Sequence, residues 1–464
     1  MTPAKIVLLA VSVAMTVACV PHEDAVSTRS GASPVDGRPR SCEVALTAHS
    51  GAEGLDEEII RWQRRVHTAR DPAPYMERLG WAYVAKARGS ADPGFYTLAE
   101  QAAGCLEGLA ADPDGARLLR AHVLHNLHRF REAEVLAHGL VADRGAWMDF
   151  ALLGDVLMEQ GRVQGAVDAY QRMMDRRPGP QAYVRAANVR WIRGDLEGAV
   201  DLMRKAVRGA GSRRTESVAW YLVRLAGLET QLGQRASARR HLEAATGVQP
   251  GYPPALLAQA RLRLARGAGE QALELLAQAA DTLPELPPEY LWARVDALRM
   301  VGHASQAVAL EGELVTRGAS EDPRTLALYL ATQSRLAGRA VDLARRELGV
   351  REDVKTLDAM AWALYSAGEY GTARQFSLRA LAEGTQDARL FVHAAHIAAA
   401  DGAGEEGRAW RAKAREMAWT LWPSERIWLQ REFATPLANA PLSGRIDTAL
   451  PGQSNREPGE DHAL

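Results

Sequence analysis

The stretch FALLGDVLMEQGRVQGAVDAYQRMMDRRP, residues 150 to 178, decides the fold. Phe150, Leu153 and Leu157 recur at helical spacing, Gly161 interrupts the run, and Ala166 and Tyr170 resume it before Pro178. That order spells a helix, a turn, a second helix and a stop, because proline lacks the amide hydrogen and clashes one turn back. Gly154 and Ala166 are small where two antiparallel helices would cross, which lets the pair approach to the short end of the usual 8 to 10 Å range.

The same spacing spreads in both directions. The small residue of the second helix returns as Ala99, Ala133, Ala166, Ala199, Ala238, Ala272, Ala307, Ala340, Ala373 and Gly407, at steps of 33 to 35 residues with one of 39. Ten units follow. Twelve residues upstream of most of these stands a second small residue: Ala121, Gly154, Ala187, Ala226, Ala260, Ala361 and Ala395. Val295 and Leu328 break that rule in the seventh and eighth units. Gly161, Gly194, Gly233, Gly267, Gly302, Gly338, Gly368 and Gly402 mark a turn inside a unit, where a helix end calls for a left-handed residue. In the first unit Asp92-Pro93-Gly94 lengthens that turn, and extra residues before Ser217 lengthen the connection between units four and five.

Segment 150–178 is similar to the tetratricopeptide (TPR) repeat, whose skeleton W-x2-L-G-x2-Y, A-x3-F, P it matches in spacing, with other apolar residues in place of the tryptophan and first tyrosine. The resemblance covers about residues 73 to 420. It implies an all-α, right-handed superhelical solenoid of about ten antiparallel helix pairs. The run Arg351-x-Asp353-x-x-Thr356-x-Asp358-x-x-Ala361-Trp362-Ala363-Leu364, with Gly384-Thr385-x-Asp387-Ala388 and residues 393 to 397, resembles bacterial TPR lipoproteins and implies no activity.

The chain is expected to divide as follows. Residues 1–19 read as an export signal: Lys5, then an apolar stretch from Ile6 to Val17 too short for a stable membrane anchor, then Ala18-Cys19. Thr16-Val17-Ala18-Cys19 resembles a lipobox and makes Cys19 the lipidation candidate, although Thr16 departs from the usual leucine; an ordinary cleaved signal is the alternative. Residues 20–53, rich in Pro, Ser, Gly and Arg, read as a flexible tether, 54–72 as a cap helix, 73–423 as the solenoid, 424–435 as a possible C-terminal cap helix and 436–464 as a disordered tail. This places the protein in a bacterial cell envelope, anchored by lipid and facing the periplasm, or else soluble in the periplasm or secreted. With Cys19 lipidated, Cys42 and Cys105 remain as an even pair in an oxidising compartment, either bonded to each other or both free.

Lysine plus arginine number 56 against 57 for aspartate plus glutamate, a balance that gives no sign of a nucleic-acid partner. Nor is there a phosphate loop, a nucleophile elbow or an HExxH string, and acidic neighbours such as Glu57-Glu58 and Glu405-Glu406 diverge on a helix. Catalytic residues, cofactors and metals are therefore not expected. His122, His125 and His128 lie a turn apart, a spacing able to hold a metal, but without cysteine nearby they read as polar lining. Arginine pairs such as Arg239-Arg240 read as solvated surface.

The likeness to TPR proteins implies a concave surface lined by positions 2, 5, 9 and 12 of each unit. Here those supply His122, His125, Asp155, Asn188, Trp191, Trp220, Arg261, Trp292, Asp296, Arg299, Tyr329, Asp358, Trp362, Tyr365 and His396, with Met158 beside them. Tryptophan, tyrosine and arginine favour interface hot spots, so the expected function is a scaffold that holds a protein or peptide in this groove and supports assembly of a multiprotein complex. Two alternatives stand: neighbouring helices cover these rings, or the rings serve as stacking platforms for a saccharide in polymer export.

Overall fold

A computed structural model describes residues 39–51, 54–90, 92–109, 113–211 and 215–433. The signal sequence with Cys19, most of the expected tether and the tail 436–464 lie outside the described residues. The described residues form an all-α solenoid. Ten consecutive helix pairs begin with Ala73–Ser90 and Gly94–Leu109 and end with Ala388–Ala400 and Gly404–Glu416. The helix Gly54–Thr68 precedes them.

The small residues of the repeat sit where the helices of a pair meet. Ala133, Ala166, Ala199, Ala238, Ala272, Ala340 and Ala373 are fully buried. A Cβ added to Gly154 would come within 2.3 Å of the Tyr170 ring, and one on Gly407 within 2.6 Å of the Ala395 carbonyl. Helix pairing thus depends on the missing side-chain volume. Unit 8 differs from expectation: Gly338 lies inside the helix Ala337–Leu348, and the preceding turn is made by Ser334 and Leu336 at positive φ. In unit 2 His128 fills the left-handed position, at φ 59°.

First helices of successive units approach one another in units 1 to 3 and 5 to 10, whereas the second helices of successive units do not, each packing mainly against first helices. The first helices therefore form the inner layer of the superhelix. The first helix of unit 4, Pro180–Ile192, does not approach its counterparts on either side as closely.

The superhelix closes on itself after six units. The last carbonyls of a helix have no partner within it, and here those of the first helices in units 3 and 4 are met by chain six units further on, and those of units 5 and 6 by the segment that follows unit 10. Glu159 O accepts from Glu352 N at 3.0 Å. Ile192 O accepts from Thr385 Oγ1 at 2.6 Å, Thr230 O from Trp419 Nε1 at 2.7 Å, and Ala265 O from an Arg426 guanidinium nitrogen at 3.1 Å. Arg351 adds an ion pair to Glu159 at 3.3 Å, and Gly161 and Gly194 let the turns touch. Leu152, Leu157 and Ile192 consequently share one apolar core with Val354, Leu357 and Leu390.

Order starts and ends differently from expectation. Within the segment read as a tether, Arg40–Ala45 is a short helix whose Cys42 is disulfide-bonded to Cys105. Tyr83 donates to the Ala45 carbonyl at 2.7 Å and fixes the same helix. At the other end the described part of the expected cap 424–435, residues 424–433, is not a cap helix. Two short 3-10 turns, Ala418–Thr420 and Ile427–Leu429, flank the single helical turn Pro423–Arg426. The reason is its surroundings: this segment is held residue by residue against the inner layer and follows that surface, with Trp422, Glu425, Trp428 and Leu429 buried.

The inner surface as candidate binding site

Burial divides the expected groove residues into two groups. From unit 6 onward the chain's own residues 418–433 lie on the inner layer and cover it. Trp292 is 1% exposed, donates through Nε1 to Ser424 Oγ at 2.9 Å, and stacks on Trp422 with Tyr329 at its edge. Asp296 accepts from both Ser424 N and Ser424 Oγ. Trp362, fully buried, lies between Tyr365 and His393 with Trp428 edge-on at 4.8 Å, and its Nε1 donates to Thr332 Oγ1. Asp358 accepts from His393, and His396 donates to the Trp428 carbonyl at 2.7 Å. Trp292, Asp296, Tyr329, Asp358, Trp362 and His396 are thus not groove surface. They are core, because the segment that was to cap the array enters the groove instead. Arg261 and Tyr365 keep partial exposure and Arg299 is exposed. Arg261 covers the Trp422 ring and donates to the Thr420 carbonyl.

Burial has electrostatic consequences here. Desolvation raises the Asp296 carboxyl to about 7 against the two Ser424 hydrogen bonds. Burial lowers His396 to about 4. Arg389 pairs with the buried Glu425, which anchors the segment to the first helix of unit 10.

Units 2 to 5 keep their inner residues open in part. His122, His125, Asp155, Asn188, Trp191 and Trp220 are each half-buried; Met158 is buried. His122 packs on Trp81, and desolvation, followed by the charge of His125, lowers it to about 3. His125 and His128 pack on Phe130. Among the described residues no group of three or more His, Cys, Asp or Glu side chains is arranged to hold a metal. Asp155 accepts from Arg185 at 2.6 and 2.8 Å and from Tyr170 at 2.9 Å. Burial pushes that carboxyl up, and these partners outweigh it, leaving Asp155 below its usual range.

Around unit 4, where the inner helices stand apart, Val184, Ala187, Asn188, Trp191, Met203, Arg224 and Leu228 line a small cleft. Trp191 Nε1 donates to Gln231 at 2.8 Å, and Lys355 Nζ lies 5.5 Å from the centre of the Trp191 ring. Lys355 and Arg224 were not among the expected groove residues. Lys355 belongs to unit 9 and reaches the Trp191 ring through closure of the superhelix, which repeat position alone does not encode. Arg224 lies one helical turn after Trp220, and that spacing was a usable signal.

Protein-family models and curated proteins give no match to this chain. Among solved structures it is similar to PilW, described as a widely conserved type IV pilus biogenesis factor, at 14% identity and a TM-score of 0.40 over 48% of this chain and all of the other.

Proposed function

We propose that this protein is a non-catalytic scaffold of the cell envelope whose open inner surface, in units 2 to 5, binds a protein or peptide partner and supports assembly of a multiprotein complex. The observation that carries this reading is the pair of half-buried tryptophans, Trp191 and Trp220, on the inner layer where the helices separate. Packing gives a half-exposed indole little reason to stay there, whereas interfaces use it as an anchor. The Cys42–Cys105 disulfide supports an oxidising compartment, and attachment through a lipid on Cys19 fits that placement. No helix among the described residues is long and apolar enough to cross a membrane.

Affinity capture from gently solubilised membranes tests the reading. Wild type is compared with Trp191→Ala, Trp220→Ala and the double variant, each checked for an unchanged helical spectrum. A defined set of proteins held by the wild type and lost from the double variant is the expected result. Equal capture by both would remove the inner surface from consideration.

A further inference from the structure

We infer that Arg224 and Lys355, with the Asn188 amide, form a binding site for a phosphate group inside the superhelix. Three parts of the chain far apart in sequence supply these side chains: Asn188 from unit 4, Arg224 from unit 5 and Lys355 from unit 9. Arg224 and Asn188 line the same cleft as Trp191, and Lys355 stands over that tryptophan.

The charges around the cleft do not balance within the protein. Arg185 is spent on Asp155, and Arg324 on Asp353. Asp353 also caps its helix through the Lys355 and Thr356 amides, and Asp387 caps the next first helix through Arg389 N. Neither Arg224 nor Lys355 has a carboxylate within ion-pair distance among the described residues. Both are exposed to solvent, yet the surrounding protein lowers both, Lys355 to about 8, with Arg324 and Arg224 adding to the effect of desolvation. The Arg224 charge contributes to the lowering of Lys355, so the two cations lie close enough to repel each other.

Two uncompensated cations match one dianion. A phosphate monoester or free phosphate carries about −1.5 to −2 near pH 7 and offers three or more acceptor oxygens. The arginine fork and the lysine ammonium supply charged donors, and the amide supplies a neutral one. A monoanion such as acetate or chloride would leave one cation uncompensated.

This inference rests on the reading of the inner surface as the ligand-facing one. Its test uses the purified chain alone, so its failure leaves the capture experiment standing. Inorganic phosphate, phenyl phosphate and acetate are titrated calorimetrically at pH 7.0 and constant ionic strength. Saturable phosphate binding is expected, at least about tenfold tighter than acetate. Arg224→Gln and Lys355→Gln should each weaken it about tenfold or more, the scale of one charge-assisted hydrogen bond, while Lys355→Arg retains it. Phenyl phosphate binding as well as phosphate identifies a phosphorylated ligand as the source, and exclusion of the ester identifies free phosphate. The inference is overturned if phosphate binds no better than acetate, or if the glutamine variants bind it like the wild type with unchanged melting.

Discussion

Thr385 donates its hydroxyl to the carbonyl of Ile192 at 2.6 Å, across 193 residues of chain, and the hydroxyl-bearing side chain is fully buried. The bond satisfies the carbonyl that ends the first helix of unit 4 and joins one turn of the superhelix to the next. Thr385→Val keeps the shape and leaves that carbonyl buried without its partner, at a cost of about 1 to 3 kcal/mol. Thr385→Ser, which keeps the hydroxyl, should lose less. Urea denaturation of the two variants checks the order, and a valine variant as stable as wild type would mean that the turns do not dock.

The turn glycines offer a controlled comparison. Gly194 and Gly302 adopt φ of 77° and 82°, so alanine at either is strained by about 1 to 2 kcal/mol. At Gly302 an added Cβ meets nothing within 4 Å, whereas at Gly194 it would lie 2.4 Å from the Gly384 carbonyl oxygen. Gly194→Ala should therefore cost roughly 1 to 3 kcal/mol more than Gly302→Ala through overpacking of the seam. Thermal melts of the two variants side by side measure the difference, and equal melting temperatures would dissolve the seam.

Repeat structure was legible in the sequence because it is local. The small residues at Gly154 and Ala166 act on neighbours within one unit, and their spacing records the contact directly. Gly338 misled because a unit's turn was made by Ser334 and Leu336, residues without a compositional bias toward positive φ. The groove residues Trp292, Asp296, Trp362 and His396 were placed on the correct layer but not in the correct environment. What covers them is the segment 418–433, and its approach depends on how far the superhelix has turned, a global quantity. The density of tryptophan at 419, 422 and 428, beyond the last full unit, was a signal that this stretch has a surface to bury.

Trp428 tests whether the segment holds the later units together. It donates to the Thr332 carbonyl at 3.1 Å and packs on Trp362 and His396. Trp428→Ala should destabilise by about 3 to 5 kcal/mol, as large-to-small changes in a core do. In a solenoid the loss should be regional. Hydrogen exchange is expected to quicken in the helices Pro323–Thr332, Val354–Ser366 and Ala388–Ala400 while Ala73–Ser90 keeps its protection; uniform quickening would contradict the regional account.

The Cys42–Cys105 bond spans a sequence separation of 63. The chain-entropy model assigns a loop of that size about 4 kcal/mol of stabilisation. Cys42→Ser/Cys105→Ser should unfold at lower urea, with exchange first increased at Arg40–Ala45 and Gly94–Leu109, the two helices it joins. A variant unchanged in urea would show that apolar packing alone fixes the N-terminal helix.

Asp296 makes the seating of the C-terminal segment depend on pH. Its folded value, about 7, lies above the ordinary carboxyl value of 3.8 because burial disfavours the charged form. The native state therefore binds more protons than the unfolded state between those values, and stability falls as pH rises through the interval. The full contribution is present below about pH 4 and has been lost once pH exceeds about 7. Each unit within the interval is on the order of 1.4 kcal/mol. Asp296→Asn removes the titration while its amide oxygen still accepts from Ser424. Urea midpoints at pH 4, 5.5 and 7 should show the difference between variant and wild type moving in the variant's favour as pH rises, with proteolysis near Ser424 in the wild type increasing in step. Parallel pH profiles for the two proteins would show that Asp296 does not govern how the segment is held.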